Sequence, residues 1–450
     1  MENEIFMITS ERGSDLLVVK KHTFRHVRQR EYGNNRWRCC KKQCTCTVLM
    51  TNDNKIMIES SGEHSHLVDS TQKIERQVLR ENCKRKATSS IATRPIKIIR
   101  SQLMNSVSTE LEYNDIKSVR KAMYIQRRKN FPPYPSSLEN AITQLNKLQN
   151  EDFLMFRGKK FVHLPNDCTF ICLTTEENLQ CLTSCTDIFT DGTFDYAPKF
   201  FLQLYTIHSY KNGVYVPLVY FFLKNKFKNT YINVWKYLIS ICEKQSLLFK
   251  IEILHIDFEI GAIEATKEVF PYVKIKTCRF HLGQAWWRKI NGNTKLRMAD
   301  NDENNDLQLW LKSFFGLSFI APDDVEDAFV ELISTCPNIA DGQLFSDYVL
   351  ETYVEPGCLF PPILWAETPS LNPRYIFTNK SKKKYCLLYL YIFRTTNGAE
   401  SFHATYNAQF TSAHPPTFVV ISTLMETQAE TVTKLSTIFK EKSSQNRRKN

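Results

Sequence analysis

The sequence predicts a multidomain protein with three parts: a small β-rich module, a basic helical segment, and a larger α/β domain that carries a helical insertion. Residues 1–66 hold short β-branched runs between turn residues, residues 72–130 are strongly basic, and strand-like and helix-like segments alternate from about residue 160. A chain of 450 residues is long enough for two or three domains. The predicted boundaries are 1–70, 71–150, 151–420 and a C-terminal helix with a basic tail at 421–450.

The first module combines strand signals with a cysteine and histidine pattern. The runs "LLVVKKHTFRHV" and "KIMIES" favour strands, and "YGNNR" and "TNDN" favour the turns between them. Two thiolates and two imidazoles can form a closed tetrahedral zinc site, which would help so small a domain to fold. The candidate ligands are Cys39, Cys44, His64 and His66. On spacing alone these side chains can also be free thiols and surface histidines. Cys40 adjoins Cys39 and could substitute for it, and Cys46 is expected to face away from Cys44.

This module resembles a FLYWCH-type zinc finger over about residues 1–70. The resemblance is carried by Phe24, Trp37-Arg38-Cys39, Cys44 and Glu63-His64-Ser65-His66. It implies that Cys39, Cys44, His64 and His66 bind one structural Zn²⁺.

The positive charge is concentrated in the first third of the chain. The net charge is +12, and residues 72–130 alone hold 15 Lys/Arg against 5 Asp/Glu. Such a field suits a polyanion such as DNA, although a solvated surface would also be basic. No apolar run is long enough to span a bilayer, and the first residues lack a signal-peptide pattern. We therefore expect an intracellular protein whose cysteines are thiols or zinc ligands.

Three short helices are predicted within residues 71–150. Thr93 is a candidate cap with Pro95 in the first turn, a further helix begins near Asn114 and Asp115, and "FPPYP" ends the series. The unit can be a DNA-reading one or a helical spacer with solvated charge. The residues chosen for DNA contact are Arg120, Lys121, Arg127, Arg128 and Lys129, together with Arg36 and Arg38 of the first module.

The order β-β-β-α-β-α-β beginning at "DIFTDGTF" fits the RNase H-like fold. Asp191 lies on the first of these strands and Asp257 ends the fourth, and these two strands are neighbours in that fold. The two carboxylates would therefore converge, and their repulsion would favour Mg²⁺ or Mn²⁺ between them. The alternative is that Asp191 caps a strand and Asp257 caps the next helix. Glu259 is interpreted as a first-turn helix residue.

Four segments together resemble a Mutator-like element (MULE-type) transposase domain across about residues 150–420. They are "TDGTF", "IDFEIGAIEA", "CRFHLGQAWWRKI" and "RTTNGAESFH". The resemblance implies a catalytic triad of Asp191, Asp257 and Glu400 that holds two Mg²⁺ or Mn²⁺ ions. It also points to Cys278 and His281 as a family signature, which we leave between a site-shaping and a structural role. Glu400 can alternatively form a capping box with Asn397.

Two further segments complete the organisation. Residues 291–370 are mainly helical in pattern and form the predicted insertion. Residues 375–394, "YIFTNKSKKKYCLLYLYIFR", separate two parts that resemble the family better when joined, and their composition suggests a retained intron or a gene-model error. Transcript sequencing decides this hypothesis.

The sequence thus predicts a nuclear, DNA-binding transposase that cuts and joins DNA strands at metal ions. A catalytically silent zinc-finger regulator is the alternative, and a zinc-finger protein-interaction module is a third possibility. DNA is the expected partner, homo-oligomers on DNA are possible, and neither a membrane nor a small-molecule cofactor is expected.

Overall fold

A computed structural model describes residues 5–29, 33–89, 91, 93–105, 110–148, 151–165, 169–211, 214–302, 304–368 and 397–447. The atypical segment 375–394 lies outside these residues. The chain divides into two compact units, Met1–Tyr134 and Pro135–Asn450.

The first unit begins with a six-stranded antiparallel sheet whose strands follow the chain order. Its strands are β1 (Ile5–Thr9), β2 (Asp15–Val19), β3 (His22–Gln29), β4 (Asn35–Cys39), β5 (Thr47–Met50) and β6 (Met57–Ser61). One face buries apolar side chains such as Leu17, Phe24, Trp37 and Met50. On the opposite face, Ile8 and Val18 are buried against Ile74. A meander of this kind forms because each connection is a short turn.

Three helices complete the first unit: α1 (Thr71–Ser89), α2 (Pro95–Met104) and α3 (Tyr113–Lys129). Leu79, Cys83 and Met123 lie in their shared core. Two expected helix starts are corrected. Arg94 rather than Thr93 occupies the cap position of α2, without a side-chain hydrogen bond, because Pro95 supplies the helical φ and needs no donor partner.

The start of α3 is also earlier than expected. Tyr113 begins the helix, and the Asp115 carboxylate accepts a hydrogen bond from the Glu112 backbone N–H at 3.0 Å. Asp115 is buried and also accepts from Gln72 and Arg76 of α1. An acid that sequence alone presents as a helix-start residue therefore joins two helices.

The second unit is built on a seven-stranded mixed sheet. The first elements of this unit are α4 (Leu138–Lys147), the β7–β8 hairpin (Met155–Phe156, Lys159–Lys160), β9 (Val162–His163), β10 (Phe170–Leu173), α5 (Glu176–Thr183), β11 (Asp187–Thr193), β12 (Gln203–Lys211), β13 (Val214–Leu223), α6 (Lys228–Glu243), β14 (Ile253–Ile256), α7 (Ile260–Val269) and β15 (Lys274–Thr277). The strand order in the sheet is β15-β14-β11-β12-β13-β10-β9. Strands β11, β14 and β15 are parallel, so their carboxyl ends meet at one edge of the sheet.

The predicted insertion is helical. It contains α9 (Thr294–Asp300), α10 (Asp306–Phe314), α11 (Val325–Ser334) and α12 (Ile339–Val349), after α8 (Arg279–Gly292). Trp286 of α8 packs against Phe315, Phe345 and Trp365, so these helices share one core with the sheet. The insertion is thus part of the α/β core.

Two helices end the described chain, α13 (Asn397–Asn407) and α14 (Thr417–Arg447). Helix α14 starts four residues before the predicted C-terminal region and continues into the expected basic tail. Its Gln428 exchanges two hydrogen bonds with Asn178 of α5, at 2.9 and 2.8 Å, and both amides are fully buried. Among the described residues, no helix has both the length and the apolar character needed to cross a membrane.

Candidate metal centres and nucleic-acid interface

The four predicted zinc ligands lie together in the first unit. Cys39 Sγ is 3.2 Å from His66 Nε2, Cys44 Sγ is 3.3 Å from His64 Nδ1, and the two histidine nitrogens are 3.2 Å apart. All four ligand atoms lie within 4.8 Å of one another. Zinc bonds of about 2.0–2.3 Å in a tetrahedron give edges of roughly 3.3–3.7 Å, so this cluster fits the ion closely.

The surroundings of the cluster also suit a metal. Nδ1 of His66 donates a hydrogen bond to the carbonyl oxygen of Leu67 at 2.9 Å, which leaves the Nε2 lone pair for a ligand bond. The His64 ring stacks on His22 with centroids 3.5 Å apart. Cys39 and Cys44 are buried, so unmetallated thiolates would be poorly solvated there. This donor set is that of a structural zinc site.

Cys46 is closer to the cluster than expected. Although burial opposes ionisation of Cys44, hydrogen bonds from the Cys46 amide and thiol and from Cys39 lower the pKa of Cys44 to about 7. Cys46 therefore faces Cys44, and the expected opposite orientation is wrong. Residues two apart in an extended chain share a face, and this pair lies just before β5.

The outward face of β3 and β4 carries four arginines. Arg25 lies opposite Arg38, and Arg28 lies opposite Arg36. A bulge between His26 and Arg28 places Arg28 on the same face as the others. Within the described part of the chain, no carboxylate lies at ion-pair distance from these four guanidinium groups. We call this set (Arg25, Arg28, Arg36, Arg38) the arginine ladder. Like charges in cross-strand pairs repel unless a polyanion covers them.

The basic residues chosen on α3 differ in their surroundings. Arg127 donates to the carbonyl oxygens of Ala87 and Thr93, at 3.1 and 2.6 Å. Arg128 donates to those of Phe131 and Pro132, both at 2.8 Å, and stacks on Tyr134. These guanidinium donors fix the helix ends and the following turn. Lys121 and Lys129 are exposed, and Arg120 is half-buried. DNA contact by this set stays a prediction.

In the second unit, Asp191 and Asp257 face each other at the carboxyl ends of β11 and β14. Asp191 is buried, and one of its oxygens accepts the Gly192 backbone N–H at 2.7 Å. Burial and the neighbouring Asp257 carboxylate raise the pKa of Asp191 well above its usual range. A pair of this kind is more stable with a cation between its members.

Cys278 and His281 lie between these aspartates and Glu400. Nδ1 of His281 is 2.7 Å from Oδ1 of Asp257, and the Cys278 thiol is 3.5 Å from Oε1 of Glu400. Burial would lower the pKa of His281, but Asp257 and Cys278 raise it to about 12. Asp257, Cys278 and His281 could together hold a metal ion. The two signature residues thus connect the helix that carries Glu400 with the strands that carry the aspartates. The side chain of Asn397 is not described, so the capping-box alternative is not tested.

His403 also lies in the site, although it is not among the residues predicted from the sequence. It lies one helical turn after Glu400 on α13. The Thr206 hydroxyl donates to the Asp191 carbonyl oxygen at 3.1 Å, so Nε2–H of His403 donates to Thr206 at 2.9 Å, and the same nitrogen is 3.7 Å from the Asp191 carboxylate. His208 donates to Thr206 from the other side at 2.8 Å. Burial lowers the pKa of His403 to about 4, so the ring is neutral. The signal was present: His403 ends the quoted "RTTNGAESFH" at an i, i+3 distance from Glu400.

Glu259 also differs from its interpretation as a first-turn residue. It occupies the cap position of α7, and its carboxylate accepts hydrogen bonds from Gln203 at 2.9 Å and from the Tyr231 hydroxyl. The Tyr231 hydroxyl oxygen is also 2.8 Å from Oε1 of Gln203. This buried network lies directly beside Asp257. No local pattern identifies it, because its members come from three separate elements.

Comparison with protein families finds two matches. Residues 7–66 match the FLYWCH zinc finger domain, and residues 188–285 match the MULE transposase domain, in the expected order. A search of curated proteins gave no match. The two domains support a transposase-like DNA-binding protein with a structural zinc site.

Proposed function

We propose that this protein is a DNA transposase that cleaves and transfers phosphodiesters at divalent cations held by Asp191, Asp257 and Glu400. The observation that carries the proposal is the meeting of Asp191 and Asp257 at adjacent carboxyl strand ends, with Cys278 joining them to Glu400. Three carboxylates against one histidine leave negative charge that Mg²⁺ or Mn²⁺ would compensate. Two such ions would activate the attacking oxygen and stabilise the leaving oxygen.

The protein's own residues have separable roles in this proposal. Gly192 donates its N–H to Asp191 and so fixes the direction of that carboxylate. His281 holds Asp257, and the neutral His403 fills the space beside Asp191 without adding charge. These contacts would orient the carboxylates before any cation or DNA arrives.

The proposed fold of the catalytic part is RNase H-like. Its support is the order β15-β14-β11-β12-β13, in which β12 runs antiparallel to both neighbours. We also propose the boundaries 1–70, 71–150, 151–420 and 421–450, and a nuclear location where DNA is the substrate. The zinc finger, held by Cys39, Cys44, His64 and His66, would present the arginine ladder to DNA.

A plasmid-nicking assay with the full chain tests this proposal. Supercoiled DNA is incubated with Mg²⁺ or Mn²⁺ and with wild type, Asp191→Asn, Asp257→Asn or Glu400→Gln. Asp195→Asn is the matched control, because this exposed aspartate follows β11 and is not part of the proposed triad. We expect nicking by wild type and the control and its loss in the other three.

Two outcomes count against the proposal. Equal nicking by all variants would place the activity elsewhere or in a contaminant. DNA binding by wild type without nicking under either metal would favour the alternative, a catalytically silent DNA-binding regulator.

A further inference from the structure

A cationic cavity of about 220 Å³ lies in the second unit beside the acidic site. The described charged residues of its lining are Lys274, Lys276, Arg279 and Glu367. We call it the β15 cavity. Neither the proposed catalytic triad nor the predicted DNA contacts include these residues.

The position of the cavity follows from strand register. Lys276 on β15 is paired with His255 on β14, and both line the cavity. Two residues later on each segment come Cys278 and Asp257, which face the acidic site. Residues two apart share a sheet face and are separated by roughly 6.6 Å. The cavity and the acids therefore form neighbouring parts of one surface.

The charges in the cavity are unbalanced. Lys276 contacts the Glu367 carboxylate, and its side chain is 12% exposed. Burial, together with repulsion from Lys274 and Arg279, lowers the pKa of Lys276 to about 8, against a weaker attraction from Asp187. Among the described lining residues, one carboxylate thus faces three basic side chains.

Arg279 is rigidly placed in this cavity. Its guanidinium group donates to the Glu367 carbonyl oxygen at 2.6 Å and lies over the Phe319 ring at 4.7 Å. It is also largely buried. A fixed planar cation beside two lysines is an arrangement suited to phosphate oxygens.

We propose that the β15 cavity binds a backbone phosphate of the DNA whose bond is cleaved, and that Glu367 occupies this place when DNA is absent. The register separates the cavity from the acids by two residues, roughly 6.6 Å, so a phosphate bound there would lie close to the scissile bond. The proposal rests on the proposed function for its choice of DNA as the ligand.

Salt-dependent DNA binding by the full chain tests the proposal. Removing the competing carboxylate in Glu367→Gln should tighten binding by about twofold to fivefold, the worth of a partly exposed ion pair. The double variant Lys274→Gln/Lys276→Gln should bind more weakly, and the slope of log K against log salt should fall by about one to two. Lys267→Gln, an exposed lysine paired with Glu264, is the control and should change neither.

A second arm uses inorganic phosphate and thermal unfolding. Phosphate should stabilise wild type and Glu367→Gln but not the double variant. If phosphate stabilises but the DNA slope is unchanged, the site takes free phosphate and the DNA assignment is overturned. If neither changes, or if Glu367→Gln weakens DNA binding, the Lys276–Glu367 contact is structural and the proposal is wrong. Binding effects without nicking by wild type would contradict the catalytic proposal alone.

Discussion

Gly192 leaves room for Gln203 beside the buried Asp191. A Cβ at this position would overlap the Gln203 amide nitrogen, which is held by Glu259. Gly192→Ala should therefore displace Gln203, lower the free energy of unfolding by about 1–3 kcal/mol and impair nicking. Denaturant unfolding and the plasmid assay measure these effects.

Gly292→Ala is the control for this change, since a Cβ there meets no atom within 4 Å. The double variant Gly192→Ala/Gln203→Ala should be less destabilised than the sum of its parts, because the steric conflict is gone. Strict additivity would show that Gln203 is not what Gly192 accommodates.

His163 makes stability depend on pH. Burial lowers its pKa to about 4, while its Nε2–H donates to the Thr174 carbonyl oxygen at 3.3 Å. The unfolded chain, with a histidine pKa near 6.5, binds the proton first. The free energy of unfolding should thus rise between about pH 4 and 6.5, by up to about 3 kcal/mol from this group, and fall as the solution is acidified.

His163→Gln keeps an N–H donor but does not titrate, so its unfolding free energy should depend less on pH in this window. The difference between wild type and variant isolates His163 from His208 and His403, whose burial also lowers their pKa values. Parallel pH profiles for the two proteins would contradict the prediction.

Sequence reasoning at this scale found the residues that sit in motifs. The catalytic role of Asp191, Asp257 and Glu400 stays a prediction; these residues were predicted from strand ends and family resemblance. Gln203 and Tyr231 were not, because a hydrogen-bond network among distant elements has no local pattern. Arg127 shows the opposite case: a basic cluster predicts a surface charge, but nothing in the sequence reveals that its donors meet backbone carbonyls.

If the arginine ladder contacts DNA as proposed, the β3–β4 ribbon links stability to DNA binding. Arg25→Gln/Arg28→Gln removes two cross-strand repulsions, so the first unit should become slightly more stable. DNA affinity should fall, with a salt slope reduced by about two. A gain in stability together with a loss of DNA affinity would distinguish a phosphate-contacting surface from a structural one.

Lys55→Gln serves as the control, since this exposed lysine already pairs with Asp53. Electrophoretic binding at several salt concentrations and thermal unfolding provide the two readouts. An unchanged slope in the double variant would remove the ladder from the DNA interface.

Helix α14 is held to α5 by the Asn178–Gln428 amide pair. Gln428→Leu would leave the buried Asn178 amide short of a partner and should cost about 1–3 kcal/mol. Asn178→Leu/Gln428→Leu should be less destabilising than the sum, while Glu430→Leu on the exposed face should change stability by less than about 0.5 kcal/mol. Denaturant titrations of Asn178→Leu, Gln428→Leu, the double variant and Glu430→Leu measure these costs. If the costs of the two single changes simply add in the double variant, the paired role is contradicted.

Element order was easier to predict than element ends. Alternation and turn residues identified the strands from β11 to β15, because buried strands have a strong apolar signal. Strands β9 and β10 extend the sheet beyond that prediction. Strand β9 has only two residues, so it carries no alternation pattern that the sequence could reveal. The observed starts of α2 and α3 differ from the predicted ones because several residues near Pro95 and Asp115 can occupy the first turn. Tertiary contacts decide which residue begins the helix.

The division into two compact units determines how the whole molecule should unfold. Met1–Tyr134 contains the proposed zinc site and Pro135–Asn450 contains the proposed catalytic site. A chain with two cores is not expected to unfold in one two-state step. Zinc that binds only the folded finger would stabilise that unit by linkage.

Zinc removal should therefore act on one unit alone. A chelator, or Cys44→Ser, should lower the melting temperature of one calorimetric transition, reduce bound zinc from about one ion per chain and weaken DNA binding. The second transition should stay in place, because the second unit keeps its own sheet, core and helical insertion. Cys358→Ser, a matched change in the second unit, should leave the zinc content unchanged. If chelation moved both transitions together, or if Cys44→Ser retained full zinc, the metal would not belong to the Cys39, Cys44, His64 and His66 cluster of an independent finger.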